Sequence, residues 1–248
     1  MADPGDPFDF VPRSGMDLPR FAGPVSFMRL PEVDLDEPRL ADVQIGLVGV
    51  PWDGGTTNRA GARHGPRQLR DLSTMIRLVN QASGIRPFHQ ARCADLGDCP
   101  VNPASVDDTL AKIAAFYGRL GEAGIVPMTA GGDHLISLPV LRGIARGRAL
   151  GMIHFDAHTA LYDSYFGGYR YTHGTPFRRA CEEGLLDPRR VVQIGIRGTA
   201  YDGEDVAQFT ARIDPVLFRR VARNLIENAV KYGEGRPIAV GLARQAGW

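Results

Sequence analysis

Val43 to Val50, VQIGLVGV, is almost unbroken in its hydrophobicity, and Pro51, Gly54 and Gly55 stop it at once. A strand with one solvated face alternates apolar and polar residues. An unbroken run is buried on both faces, as in parallel sheets that carry cover on each side. The pattern recurs along the chain. Arg92–Leu96, Ile125–Ala130, Ala149–Phe155 (ALGMIHF) and Val191–Ile196 (VVQIGI) read as further short strands. Between them, residues 66–79 begin with Pro and place apolar residues at helical spacing. Ser105–Leu120 reads as a helix with Ser105 as N-cap and Asp108 in an acidic version of the capping box. Residues 136–147 read as the next helix.

Strands alternating with helices define an α/β fold with a parallel sheet. Ligands in such folds bind beyond the carboxyl ends of the strands, and each strand here is followed by Gly, Asp or His. The chain has 248 residues, enough for one to two domains at about 150 residues each. Lys and Arg total 29 against 28 Asp and Glu, a balance with no general attraction to nucleic acid or anionic membranes. No uninterrupted apolar stretch is long enough to span a membrane. Residues 1–20 carry no targeting signal and read as a mobile arm. The three cysteines, Cys93, Cys99 and Cys181, are too sparse for a disulfide scaffold. They read as ordinary thiols in a reducing, cytoplasmic compartment.

Of the six histidines, three follow strands: His134 in Gly131-Gly132-Asp133-His134, His158 in Asp156-Ala157-His158, and His173 in Thr172-His173-Gly174-Thr175-Pro176. Residues two apart in an extended segment point the same way, so Asp156 and His158 can reach one metal ion. A carboxylate with an imidazole suits Mn²⁺, Zn²⁺, Fe²⁺ or Co²⁺. The same spacing also occurs in plain hydrogen-bonded loops.

Taken together, Gly131–His134, His154-Phe155-Asp156-Ala157-His158-Thr159 and Thr172–Arg179 resemble the ureohydrolase family of arginases, agmatinases and guanidino-acid hydrolases. Further matching stretches are Pro19–Gly23 leading to Phe27–Pro31, Gly49–Arg59, Ala60–Pro66 and Val192–Gly198. The resemblance covers about residues 19–206 and is nearest the agmatinase and guanidinobutyrase branch. It implies a three-layer α/β/α fold, a small guanidino substrate, hydrolysis to urea plus an amine or amino acid, and a homo-oligomer in the intact family. It implies two Mn²⁺ ions that acidify a water between them. Carried over, His134, Asp156 and His158 match metal ligands, Asp156 the bridging one, and His173 matches the histidine that assists proton transfer.

Two positions depart from the family pattern. The last Asp of the family's Asp-x-His-x-Asp is Ala160 here, with Asp163 three residues on. The later Asp-x-Asp strand and guanidinium-binding Glu are not found, so the fold is expected to be incomplete at its C-terminal side. A domain over 21–207 with so few carboxylates is expected to bind Mn²⁺ weakly and to release urea near background; an inactive remnant is the alternative. Its last strand, Val191–Ile196, is expected to present an exposed apolar edge.

Residues 208–248 form a separate segment. Asp214-Pro215 opens an amphipathic helix over 215–232, and Pro237–Leu242 reads as a strand. Arg223–Gly233 resembles the N-box of the histidine-kinase ATP-binding domain, which implies a tail of foreign origin. No glycine-rich box follows it, so no nucleotide site is expected.

Overall fold

The computed structural model describes residues 10–199 and Tyr201. The tail helix, strand and N-box read over 208–248 lie outside the described residues. The described chain divides into two compact units. One runs to Arg146 and includes Tyr171–Pro176; the other comprises Gly147–Arg170 and the chain from Phe177 onward.

The first unit is built on three parallel strands, β1 (Ile45–Val50), β2 (Cys93–Asp98) and β3 (Val126–Gly131), in the order β2-β1-β3. The most apolar run is thus the central strand, in register from Ile45 against Cys93 on one side and Val126 on the other. Alternation along β1 splits its side chains between two cores. Val48 and Val50 join Ala94, Leu96, Ile113, Tyr117, Leu120 and Ile136 on one face. Leu47 joins Phe27, Leu30, Phe88 and Cys93 on the other. Both faces are covered, as the unbroken run requires. The helix α2 (Val106–Glu122) packs against α3 (Ser137–Ala145), and the Tyr117 hydroxyl meets Thr129 Oγ1 on β3 at 2.6 Å. Ser105 caps α2 by accepting from the Asp108 amide at 3.2 Å. Asp108 does not complete the box: its carboxylate takes Asn102 Nδ2 and Lys112 Nζ, each at 2.7 Å.

The helix expected over 66–79 is shorter. The helix α1 spans Gly65–Ser73, and the Ser73 and Thr74 hydroxyls turn back onto the carbonyls of Arg70 and Asp71. Beyond it the amides bond three residues back, tightening the chain out of α geometry. Leu69, Leu72, Met75 and Ile76, which suggested a buried stripe, are exposed. What α1 buries is Pro66 and Arg70; Arg70 Nε lies 2.8 Å from Asp95 and Nη1 2.6 Å from Asp98, both on β2. Its guanidinium stacks 4.2 Å from the Phe27 ring centre.

The second unit holds two parallel strands, β4 (Leu150–Phe155) and β5 (Leu186–Ile194), and the helix α4 (Pro176–Glu182). The strand expected over Val191–Ile196 therefore starts five residues earlier. Of the apolar residues in the expected span, Val191 and Val192 are buried and Ile196 is exposed, Val191 lines a tight cavity with Leu161, Phe177 and Leu186, and among the described residues β5 pairs only with β4. The exposed apolar rows lie elsewhere, at Ile153 (50%) and Phe155 (61%) on β4 and at Val126 (61%) and Met128 (60%) on β3.

Candidate functional site

The site residues fall into two groups, one in each unit. In the first unit, β3 runs into Gly131-Gly132-Asp133-His134. Gly132 has φ +59°, and a side chain there would meet the carbonyls of Val50 and Trp52 at 2.5 and 2.4 Å, so only glycine allows this turn. Asp133 is the anchor beside His134. Its Oδ1 accepts from the Leu135 amide at 2.8 Å, and its Oδ2 accepts from the Gly55 amide at 2.7 Å. Burial pushes this carboxyl above its ordinary value, and those two amides pull it back.

The loop after β1, which brings Gly55 to Asp133, is held by its own carboxylate as well. Asp53 accepts from the amides of Gly61 (2.7 Å) and Arg63 (3.2 Å) and from Arg63 Nε at 2.5 Å. The Arg63 guanidinium holds the Asp53 pKa down at about 2. Gly55 approaches so closely that an added Cβ would lie 2.8 Å from Leu135. The same loop reaches His173: the His173 amide donates to the Gly55 carbonyl at 2.8 Å, and Nε2 lies 2.7 Å from Thr57 Oγ1. His134 and His173 therefore belong to one hydrogen-bonded framework in this unit, through Asp133 and the 53–57 loop.

In the second unit, β4 ends at Phe155 and delivers Asp156 and His158. Asp156 Oδ1 accepts from the His158 amide at 2.9 Å, a turn that sets the loop, and the His158 ring nitrogen lies 3.7 Å from the same carboxylate. Asp156 and His158 thus sit side by side within a hydrogen-bonded loop. His154, which the spacing argument passed over, belongs to the group. Its Nε2 is 3.3 Å from Asp156 Oδ2, and its Nδ1 is 3.2 Å from Gln193 Nε2 on β5. Its ring meets Phe177 edge-on at 4.7 Å. Burial lowers its pKa, and Asp156 opposes that. The signal was present, since His154 and Asp156 are two apart at the end of the strand β4. Asp156 thus has an imidazole beside each carboxylate oxygen, His154 at Oδ2 and His158 at Oδ1.

Ala160 is 2% exposed, has φ +55°, and accepts from the Phe177 amide through its carbonyl. Its methyl offers no ligand. Asp163 does not replace it: Arg179 Nη2 holds the Asp163 carboxylate at 2.9 Å and keeps its pKa below the ordinary value. Tyr162, Tyr165 and Tyr201 stack beside this segment with ring centres 5.5 to 6.2 Å apart.

The arginase family model matches residues 43–236. A guanidinopropionase of Pseudomonas aeruginosa is 56% identical over 196 residues, covering 79% of this chain and 60% of that protein. A guanidinobutyrase of the same organism is 45% identical over 195 residues, covering 78% of this chain and 60% of that protein. The chain thus spans about 60% of the length of these curated relatives. Among solved structures, the proclavaminate amidino hydrolase of Streptomyces clavuligerus superimposes with a TM-score of 0.72 at 32% identity, covering 87% of this chain and 72% of that one. The parallel strands, their helical cover and this likeness make the fold class three-layer α/β/α, and the chain belongs to the arginase family.

Proposed function

We propose that this chain is a metal-dependent ureohydrolase that acts on a small guanidino acid. Water adds to the guanidino carbon, a carbon–nitrogen bond breaks, and urea leaves with an amino acid. The observation that carries the reading is Asp156, held between His154 and His158 at the end of β4, in a chain 56% identical to a guanidinopropionase. His134, Asp156 and His158 are the proposed ligands, for Mn²⁺. Bound metal would supply Lewis acidity and an acidified water. His173 accepts and returns a proton on its imidazole, which a departing amine requires. The names of the relatives favour guanidino acids over agmatine. A carboxylate-terminated substrate about three carbons long is the first choice.

A second reading, an inactive relative, is favoured by the buried methyl of Ala160 and by the commitment of Asp163 to Arg179. Urea release from 3-guanidinopropionate, 4-guanidinobutyrate and agmatine, with added Mn²⁺, separates the two. Turnover that is abolished by Asp156→Asn supports the enzyme; urea at background with every substrate supports the inactive relative. On the second reading Ala160→Asp alone restores nothing. The foreign-tail reading of 208–248 competes with the family match, which runs on to residue 236. The uninterrupted coding sequence beyond Val206 in the source DNA decides between them.

A further inference from the structure

We propose that Thr57 is a positioning residue for His173, holding Nε2 and leaving Nδ1 as the nitrogen that exchanges the proton. The inference rests on the assignment of His173 to proton transfer. An imidazole that relays a proton needs a fixed ring plane and a defined tautomer, and both are set by what its other nitrogen bonds. Here the residue is tied at two points of one loop. Its backbone amide donates to Gly55, and its Nε2 meets the Thr57 hydroxyl at 2.7 Å. Among the described residues, Nδ1 makes no hydrogen bond.

The loop that presents Thr57 is itself immobilised from both sides. Asp53 closes it on Gly61 and Arg63, all within the loop region. Asp133 takes the Gly55 amide at 2.7 Å and the Thr56 hydroxyl at 3.4 Å, and its own amide donates to the Trp52 carbonyl at 2.8 Å. A threonine on a loop anchored by two carboxylates loses little further freedom when it binds the ring, so the hydroxyl is preorganised for this contact. For Nδ1 to take a proton the neutral ring must carry its hydrogen on Nε2, and the Thr57 hydroxyl oxygen is placed to accept it. With Nε2–H donating to the hydroxyl, the neutral ring has its free lone pair on Nδ1; a proton taken up there gives the imidazolium, Nε2 stays protonated, and its bond to Thr57 persists in both states.

The test reads the tautomer directly. The metal-free protein, labelled with ¹⁵N-histidine, is compared as wild type, Thr57→Val and Thr57→Ser by two-bond proton–nitrogen correlation. The His173 signals are identified by their loss in His173→Gln, and Thr57→Ala serves if valine disturbs the loop. His173 is expected to hold the Nε2–H tautomer in wild type and Thr57→Ser and to populate both tautomers in Thr57→Val; an Nδ1–H tautomer in wild type overturns the proposal. A His173 signature unchanged in Thr57→Val and Thr57→Ala overturns the proposal. A second arm measures urea release with Mn²⁺ and 3-guanidinopropionate. Thr57→Val should lower kcat about tenfold with KM unchanged, and serine should restore it. A raised KM with kcat intact also overturns the proposal. Absence of turnover in wild type counts against the ureohydrolase reading alone, because the tautomer arm needs no activity.

Discussion

Burial pushes the Cys99 thiol up to about 12 and the Cys181 thiol up to about 11. Both stay protonated at neutral pH, and the thiol is the unreactive form. The native protein at pH near 8 should therefore react with a disulfide reagent far more slowly than the protein in denaturant. Fast native labelling of all three cysteines would contradict this. Asp53 is the opposite case. Its folded value of about 2 lies below that of an unfolded aspartate, about 3.9. Its contribution is complete above the unfolded value and is lost as the pH falls through about 2. Thermal melts of wild type and Asp53→Asn should differ by a constant margin above about pH 5, and the margin should close towards about pH 2. A margin that widens on acidification would refute the role given to Arg63.

At the scale of the element, α1 shows how a polar group can seat a helix. Leu69 and Leu72 are exposed, and beyond Pro66 at its start its inward anchor is Arg70, only 10% exposed, against an Asp95 side chain that is 1% exposed. Asp95 also accepts from the amides of Phe27 at 2.8 Å and Gly97 at 2.9 Å, so the ion pair ties α1, β2 and the N-terminal segment together. Arg70→Leu leaves Asp95 buried without its cation and should cost about 3–5 kcal/mol in urea denaturation. Adding Asp95→Asn should recover part of that loss, because the charge is then gone. Equal stability of the single and double variants would show that the charge is not the cause. The cap of α2 is a smaller effect: Ser105→Ala removes one acceptor and should cost about 1 kcal/mol.

For the whole molecule, the two units differ in how completely their strands are covered. β1 has a partner on each side and cores on both faces. Among the described residues β4 has only β5 as a strand partner, and it exposes Ile153 and Phe155. Two paired strands are marginal on their own. Hydrogen exchange should therefore find the amides of Leu47–Val50 among the slowest, and those of β4 and β5 markedly faster. Equal protection would mean that both strand sets open in one cooperative step.

Every strand among the described residues was legible in the sequence as a short apolar run, and β1, buried on both faces, is the extreme case. The extended spacing read for Asp156 and His158 is instead a turn, closed by the His158 amide on Asp156 Oδ1. Local reasoning failed where a distant partner decided the outcome. The periodicity of residues 66–79 pointed to an apolar face, but the inward side of α1 was set by carboxylates on β2, about 25 residues away in sequence. His154 looked like a strand residue until Asp156 and Gln193 were placed beside it. The pairing of Thr57 with His173, 116 positions apart, left no trace in either segment. Hydrophobic periodicity reports how much of a residue is buried; which polar group meets it there depends on how the chain closes.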